Sequence, residues 1–359
     1  MLLTLLAALE LSHVSAADRD LVPAPPYPPS RCIARLVWDW TTLRTAAPGS
    51  DLWPITWAKD GSLLTAYGDG GGFGGSDSDG RVALGFARID GTPEQFVGVN
   101  INGGKAARYP ASYPKKGKVG GILAVGDRIY AFLNTQNGRW PDVDQALIWS
   151  DDGGASWRQS MWVFPRGEGN IKPSTFLNFG RGYSGVPDIL SGFVYFFGQK
   201  QGRPTETFLG RAPTEKLTDR DAYQFVCDLA NGQPQWSADA DKAQAIFVDP
   251  VPNGDLATVA YVPALKRYLL TTFHRGPGQL GVFDAPQPWG PWTTIAYEEH
   301  WGQMGADGEG LTCTFPAKWM SDDGLTLWCV FSAYGKSAKQ GINAHDKFNL
   351  VKATLELQH

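Results

Sequence analysis

Two aspartates stand symmetrically about a tight turn in the segment Asp51-Leu-Trp53-Pro-Ile-Thr-Trp57-Ala-Lys-Asp60-Gly61-Ser-Leu-Leu-Thr-Ala-Tyr67-Gly68-Asp69-Gly70. Apolar and aromatic runs flank Asp60-Gly61, which is a strong short-range signal for a β-hairpin. Asp51 and Asp69 are each nine residues from Asp60, so pairing of the strands returns both to one end. Directly opposed residues of an antiparallel pair lie roughly 4.5–5.5 Å apart at Cα. Two carboxylates so placed, ringed by Trp53, Trp57 and Tyr67, are the equipment of a glycoside hydrolase, one as proton donor and one as nucleophile or base. Repulsion between them should raise one and supply the acid. Asp69, among glycines, is the better solvated and so the better base. Taken alone, the pair could also be two surface aspartates of a turn, where Asp is a favoured residue.

The elements that would hold these residues are strands. The 359 residues carry 43 Gly, 25 Pro and 14 Trp with only 19% charged residues. Short apolar, aromatic and β-branched runs alternate with Gly, Asp, Asn and Pro turns, and long helical periodicity is absent. From about residue 46 one unit recurs at about 60-residue spacing: the opening hairpin continuing through Val82–Arg88; then Gly121–Val125, Arg128–Asn134 and Ala146–Trp149; Phe193–Gln199 and Thr207–Arg211; Leu256–Tyr261, Arg267–His274 and Leu280–Phe283; and Cys313–Trp319, Leu325–Phe331 and Asn349–Leu355. Pro54 and Trp57 before Asp60-Gly61 are matched by Pro316 and Trp319 before Asp323-Gly324. Five such units predict an all-β, five-bladed β-propeller of four-stranded antiparallel blades over residues 48–357. Ser150-Asp-Asp152-Gly-Gly154-Ala-Ser-Trp157 resembles the Asp-box turn of sialidase-type propellers, which assigns Asp152 to structure, not to catalysis.

In a propeller the start of each innermost strand and the end of the second ring one mouth of the central channel. Those positions are Asp51 and Asp69, then Lys118 and Asn134, Gln199, His274, and Glu309 with Tyr334. With Trp53, whose ring could stack on a furanose, the last six of these are the candidate substrate-binding residues. Trp53 and Trp57 are equally suited to core packing, and His274 to a structural role. The run Gly70–Gly75 could bring backbone close to a ligand or form a loose loop, but no Lys-Ser/Thr and helix follow to make it a phosphate loop.

Residues 1–16 read as a signal peptide, with an apolar stretch at Leu2–Leu11 and small residues at Ser15-Ala16-Ala17, although no basic residue precedes the run and Glu10 interrupts it. Residues 17–47 read as a Pro-rich extension. Secreted or periplasmic location, a monomer and no membrane partner are the expectations. The net charge of −4 offers no basic stripe for nucleic acid. Of four cysteines, Cys313 and Cys329 could pair across their hairpin and Cys32 with Cys227, or the thiols could be free and buried. Neither a metal site nor a cofactor is expected.

The segments Asp51-x-Trp-Pro-x-Thr-Trp57, Tyr67-Gly-Asp-Gly70, Phe315-Pro-x-x-Trp-x-Ser-x-Asp-Gly324 and Phe348–Leu355 resemble the family of domain of unknown function 4185, over roughly residues 48 to 356. Members are grouped as glycoside hydrolase family 183, endo-acting D-arabinofuranases. The resemblance implies that the two hairpin acids, Asp51 and Asp69 here, carry catalysis on D-arabinan of arabinogalactan or lipoarabinomannan. Two other classes stay open: a propeller polysaccharide lyase, for which His274, Tyr334 and Arg275 could supply base and neutraliser, and a carbohydrate-binding propeller without catalysis. A sialidase would need three converging arginines, and no such set emerges.

Overall fold

The computed structural model describes residues 24–110, 112–135, 143–251, 257–274, 279–298, 301–303, 309–334 and 342–358. The chain opens with a strand, β1 (Ile33–Ala46). Blade one follows as β2 (Asp51–Trp57), β3 (Leu63–Gly68), β4 (Gly85–Thr92) and β5 (Gln95–Asn102); blade two as β6 (Lys118–Val125), β7 (Arg128–Asn134), β8 (Gln145–Ser150) and β9 (Arg158–Phe164). Blade three is larger. It runs β10 (Ile171–Phe176), β11 (Phe193–Lys200), β12 (Glu206–Pro213), β13 (Gln224–Ala230) and β14 (Gln233–Ser237), and β15 (Ala245–Val248) also pairs with β12. Blade four holds β16 (Thr258–Val262), β17 (Arg267–His274), β18 (Gln279–Ala285) and β19 (Thr293–Glu298); blade five holds β20 (Glu309–Thr314), β21 (Thr326–Tyr334) and β22 (Phe348–Leu357). Every pairing within a blade is antiparallel, as the repeat predicts, and no α-helix occurs among the described residues.

The fourth strand of blade five is β1, in register from Ile33↔Leu357 to Ala46↔Phe348. Residues 33–46 therefore belong to the propeller, and the boundary expected near residue 47 moves outward. The ring closes by joining the first strand to the last, which covers the edge of β22 and leaves β1 as the outer strand of the blade.

Threonines on the inner strands tie the blades together. Thr56 donates to the Asn178 side-chain carbonyl (2.6 Å) and accepts from the Ala124 amide (2.9 Å). Thr175 donates to the Ala257 carbonyl at 2.9 Å, Thr258 to the Cys313 carbonyl and Thr312 to the Leu52 carbonyl. Blade two has Gly121 instead, where a Cβ would stand 2.8 Å from the Ser174 carbonyl oxygen; only glycine lets these inner strands approach so closely. Apolar faces pack between blades, with stacked Phe132 and Phe176 (4.1 Å) between blades two and three.

The turns at the lower face are structural. Asp152 accepts from the Ser156 amide (2.8 Å), Ser150 from the Gly154 amide (2.8 Å), and Trp157 stacks on Phe86 at 4.2 Å. All four cysteines are free thiols. Cys313 opposes Phe331, so Cys329 is only its diagonal neighbour, while Cys32 and Cys227 lie in different blades. Of the two alternatives, free thiols are the one found, buried at Cys313 and Cys329 but not at Cys32 or Cys227, and burial pushes the Cys329 thiol up.

Candidate active site

The hairpin brings the two aspartates to one end, as its turn demands. Asp60 fixes that turn by accepting from the Ser62 amide at 2.9 Å. Asp51 pairs with Gly68, not with Asp69, because a bulge between Leu52 and Ile55 absorbs a residue. Leu52 (φ 74°) and Trp53 (φ 59°) both take the left-handed conformation there, and so does Asp69 (φ 55°). Non-glycine residues rarely adopt it, and such strain persists only where surroundings fix it. Trp53 is part of what fixes it. Its ring is fully buried, stacks on Tyr67 at 5.2 Å, meets Phe348 edge-on at 5.3 Å and donates to the Ser50 carbonyl. Trp53 is thus a core residue, and its expected part in stacking on a sugar is corrected. Trp57 lies at the far end of the strand, lining the lower tunnel with Asn178, Tyr261 and Met320.

The two carboxyls have opposite surroundings. Oδ1 of Asp51 is closed off from solvent and has no hydrogen-bond partner. Burial pushes this carboxyl up to about 7; Lys118 pulls it back, Asp69 and Asp346 push it further, and Arg81 pulls it back. Asp69 is 41% exposed and ion-paired with Lys118 at 2.7 Å, with Arg81 3.7 Å away. Arg81 also binds the Asp69 carbonyl and the Asp77 carboxylate. One acid is desolvated and carries the proton near neutrality; the other is solvated and held by cations. That division is what general acid and base chemistry asks of two carboxyls.

Asp346, in the loop before β22, is the third carboxyl here. Its carbonyl accepts from the Gly49 amide at 2.7 Å, and its side chain stands 3.4 Å from His345. Burial raises it, His345 lowers it and Asp69 raises it. Neither Arg81 nor Asp346 is visible in the strand pattern: Arg81 lies in the β3–β4 loop of blade one, and Asp346, in the loop before β22, arrives only when blade five closes against blade one.

Of the other ring positions, Lys118 reaches the site, but its ammonium is engaged by Asp69 and the Ala83 carbonyl (2.8 Å). Asn134 opposes Lys118 and is buried, with Oδ1 unpartnered. Gln199 is half-buried and donates to the Pro204 carbonyl at 3.4 Å. His274 is fully buried, 2.8 Å from the equally buried Asp249, which also accepts from Tyr297 at 3.0 Å. Its expected place on a sugar-binding surface is corrected to a buried hydrogen-bond network between blades three and four. The backbones of Glu309 and Tyr334 pair across β20 and β21; their side chains, and Arg275, lie outside the described residues. The Gly70–Gly75 run packs on its own chain, since a Cβ on Gly70 would overlap the Gly49 carbonyl at 2.3 Å, and Gly72 donates to Ser50. Among the described residues no three His, Cys, Asp or Glu could hold a metal ion.

Similarity to solved structures covers most of the chain. A "putative hydrolase" from Bacteroides ovatus overlays with a TM-score of 0.55 at 12% identity, covering 86% of this chain and 87% of that one. The catalytic domain of a GH62 α-L-arabinofuranosidase from Coprinopsis cinerea overlays at 0.45 and 12% identity, covering 87% and 97%. At such identities the likeness is one of fold. An uncharacterized 35.9 kDa protein of Mycolicibacterium smegmatis is 24% identical over 190 residues; the match takes in 50% of this chain and 52% of that protein, so the chain spans about half the length of this curated relative. The family model described as domain of unknown function (DUF4185) matches residues 39–307, well over half the chain, and the protein belongs to that family.

Proposed function

We propose that this protein is an exported, monomeric glycoside hydrolase that cleaves furanoside polysaccharide internally, with D-arabinan of arabinogalactan or lipoarabinomannan as substrate. The observation that carries the reading is the contrast within one carboxyl pair: the buried, unpartnered Oδ1 of Asp51 beside the ion-paired Asp69. Asp51 would donate its proton to the glycosidic oxygen as the bond to the anomeric carbon breaks. Asp69 would attack that carbon, or take a proton from the water that does, and both routes start from the same proton transfer. Substrate and linkage come from the family resemblance of the opening hairpin, and export from the signal-like residues 1–16.

The same contrast weighs against a lyase. A lyase needs a cation free to neutralise a uronate carboxylate; of the described residues at the site, Lys118 and Arg81 are committed to Asp69 and Asp77, while Arg275 lies outside the described residues. The acidic groups at or beside the mouth (Asp69, Asp77 and Asp346, with the proton-holding Asp51) favour a neutral glycan over an acidic one. The test is to incubate wild type, Asp51→Asn and Asp69→Asn with arabinogalactan, lipoarabinomannan and plant polysaccharides, following new reducing ends and near-ultraviolet absorbance. Reducing ends from wild type alone are expected. Cleavage retained by both variants would overturn the catalytic assignment, and ultraviolet-absorbing ends would make the protein a lyase.

A further inference from the structure

Gly68 is a glycine for a reason unrelated to a turn. A Cβ at this position would stand 2.6 Å from Nζ of Lys118 and 2.8 Å from Oδ1 of Asp51. The missing side chain leaves a notch in which the ammonium and the orphaned carboxyl oxygen sit side by side. The same ammonium is bonded to Asp69 at 2.7 Å and to the Ala83 carbonyl at 2.8 Å. It enters from blade two, while both aspartates belong to blade one. One cation therefore stands beside both acids and hydrogen-bonds only one of them.

We propose that Lys118 is a positioning residue that sets the two aspartates apart, and that Gly68 is required to admit it. The inference rests on the proposed roles of Asp51 and Asp69 and assigns the device that makes those roles unequal. Direct bonding to the ammonium fixes the direction of the Asp69 side chain. Proximity without a hydrogen bond leaves the proton on Asp51 while limiting how tightly it is held. An ammonium that gives two of its three donors to Asp69 and the Ala83 carbonyl has one left to offer a sugar hydroxyl. The other charges facing Asp51 are Asp69, Arg81 and Asp346, with Asp77 and His345 paired behind the last two.

The test compares Lys118→Met, Lys118→Arg and Gly68→Ala with wild type, on folded protein verified by circular dichroism. For Lys118→Met, kcat should fall about 10- to 100-fold with KM nearly unchanged. The alkaline limb of the pH profile should move up by about one pH unit, because the cation nearest Asp51 is gone. Lys118→Arg should restore the limb. Gly68→Ala, which fills the notch, should lower kcat in the same way. A raised KM with kcat and pH limb unmoved would make Lys118 a sugar ligand and overturn the proposal. A second measurement needs no substrate: carboxyl carbon NMR titration of labelled aspartate, with Asp51→Asn identifying the Asp51 signal. Its midpoint should move up in Lys118→Met, and an unmoved midpoint overturns the inference even if no polysaccharide is cleaved. Absence of cleavage by wild type would instead overturn the hydrolase reading.

Discussion

Replacing Asp51 with asparagine should stabilise the protein while abolishing its activity, and only above a defined pH. The ordinary carboxyl value of 3.8 is pushed up to about 7 by burial in the folded chain. The folded state therefore holds the Asp51 proton through a window in which the unfolded state has released it. In that window the folded state binds more protons, so stability falls as pH rises from about 4 to about 7 and stays lower above it. At roughly 1.4 kcal/mol per pH unit the full cost is about 4 kcal/mol. Oδ1 is closed off while the residue as a whole keeps some surface, so solvent relieves part of this, leaving about 2–4 kcal/mol. Asparagine preserves shape and cannot ionise. Urea unfolding of wild type and Asp51→Asn at pH 4 and pH 8 should show near-equal stability at pH 4 and the variant more stable by about 2–4 kcal/mol at pH 8. Titrations of groups away from the site cancel in the comparison. An equal difference at both pH values, or a variant weaker at pH 8, would refute the burial of a proton on Asp51.

Three further perturbations separate structure from chemistry. Trp53→Ala should cost about 3–5 kcal/mol in urea unfolding, as for other fully buried aromatics, whereas a higher KM at unchanged stability would return Trp53 to the sugar surface. His274→Ala leaves the buried Asp249 carboxylate without its partner at 2.8 Å and should destabilise by about 3–5 kcal/mol, measured the same way; a near-neutral result would mean that the carboxylate is protonated or hydrated. Thr312→Val removes the bond from blade five to the Leu52 carbonyl. It should cost about 1 kcal/mol and, because Leu52 adjoins Asp51, lower kcat beyond what that loss explains; unchanged kcat would separate ring closure from the site.

What could be read before the fold was known depends on how far apart in the chain the interacting residues lie. Asp60-Gly61 and the flanking apolar runs are a local signal, so the hairpin and the nearness of Asp51 to Asp69 follow directly. The register differs by one residue, because the bulge at Leu52 and Trp53 is stabilised by rings from elsewhere, among them Phe348. The same bulge defeats strand alternation as a guide to Trp53. Strand-end counting sets His274 at the mouth level but cannot see Asp249 and Tyr297 covering it. For Lys118 the level is right and the partner is not, since what an ammonium meets is decided by the neighbouring blade. The sequence 33–46 carries no mark of its partner β22, more than 300 residues away, and reads as an extension until the ring is closed.

That closure is also what makes a site of these residues. Asp51, Asp69 and Arg81 come from blade one, Lys118 from blade two and Asp346 from beside β22 in blade five. Blade one alone would hold two aspartates on a strained bulge fixed only from its own side, by Tyr67 stacking on Trp53 and by the Trp53–Ser50 bond. Thr312 holds the Leu52 carbonyl from one side, Phe348 packs edge-on against Trp53, the next residue, and the Asp346 carbonyl binds the Gly49 amide two residues upstream of Asp51. Each of these contacts joins blade five to blade one. Burial of Asp51, which puts its proton within reach of neutral pH, is thus a product of ring closure. A propeller of isolated blades would leave this carboxyl wet and acidic, and the pair would lose the asymmetry on which acid and base catalysis rests.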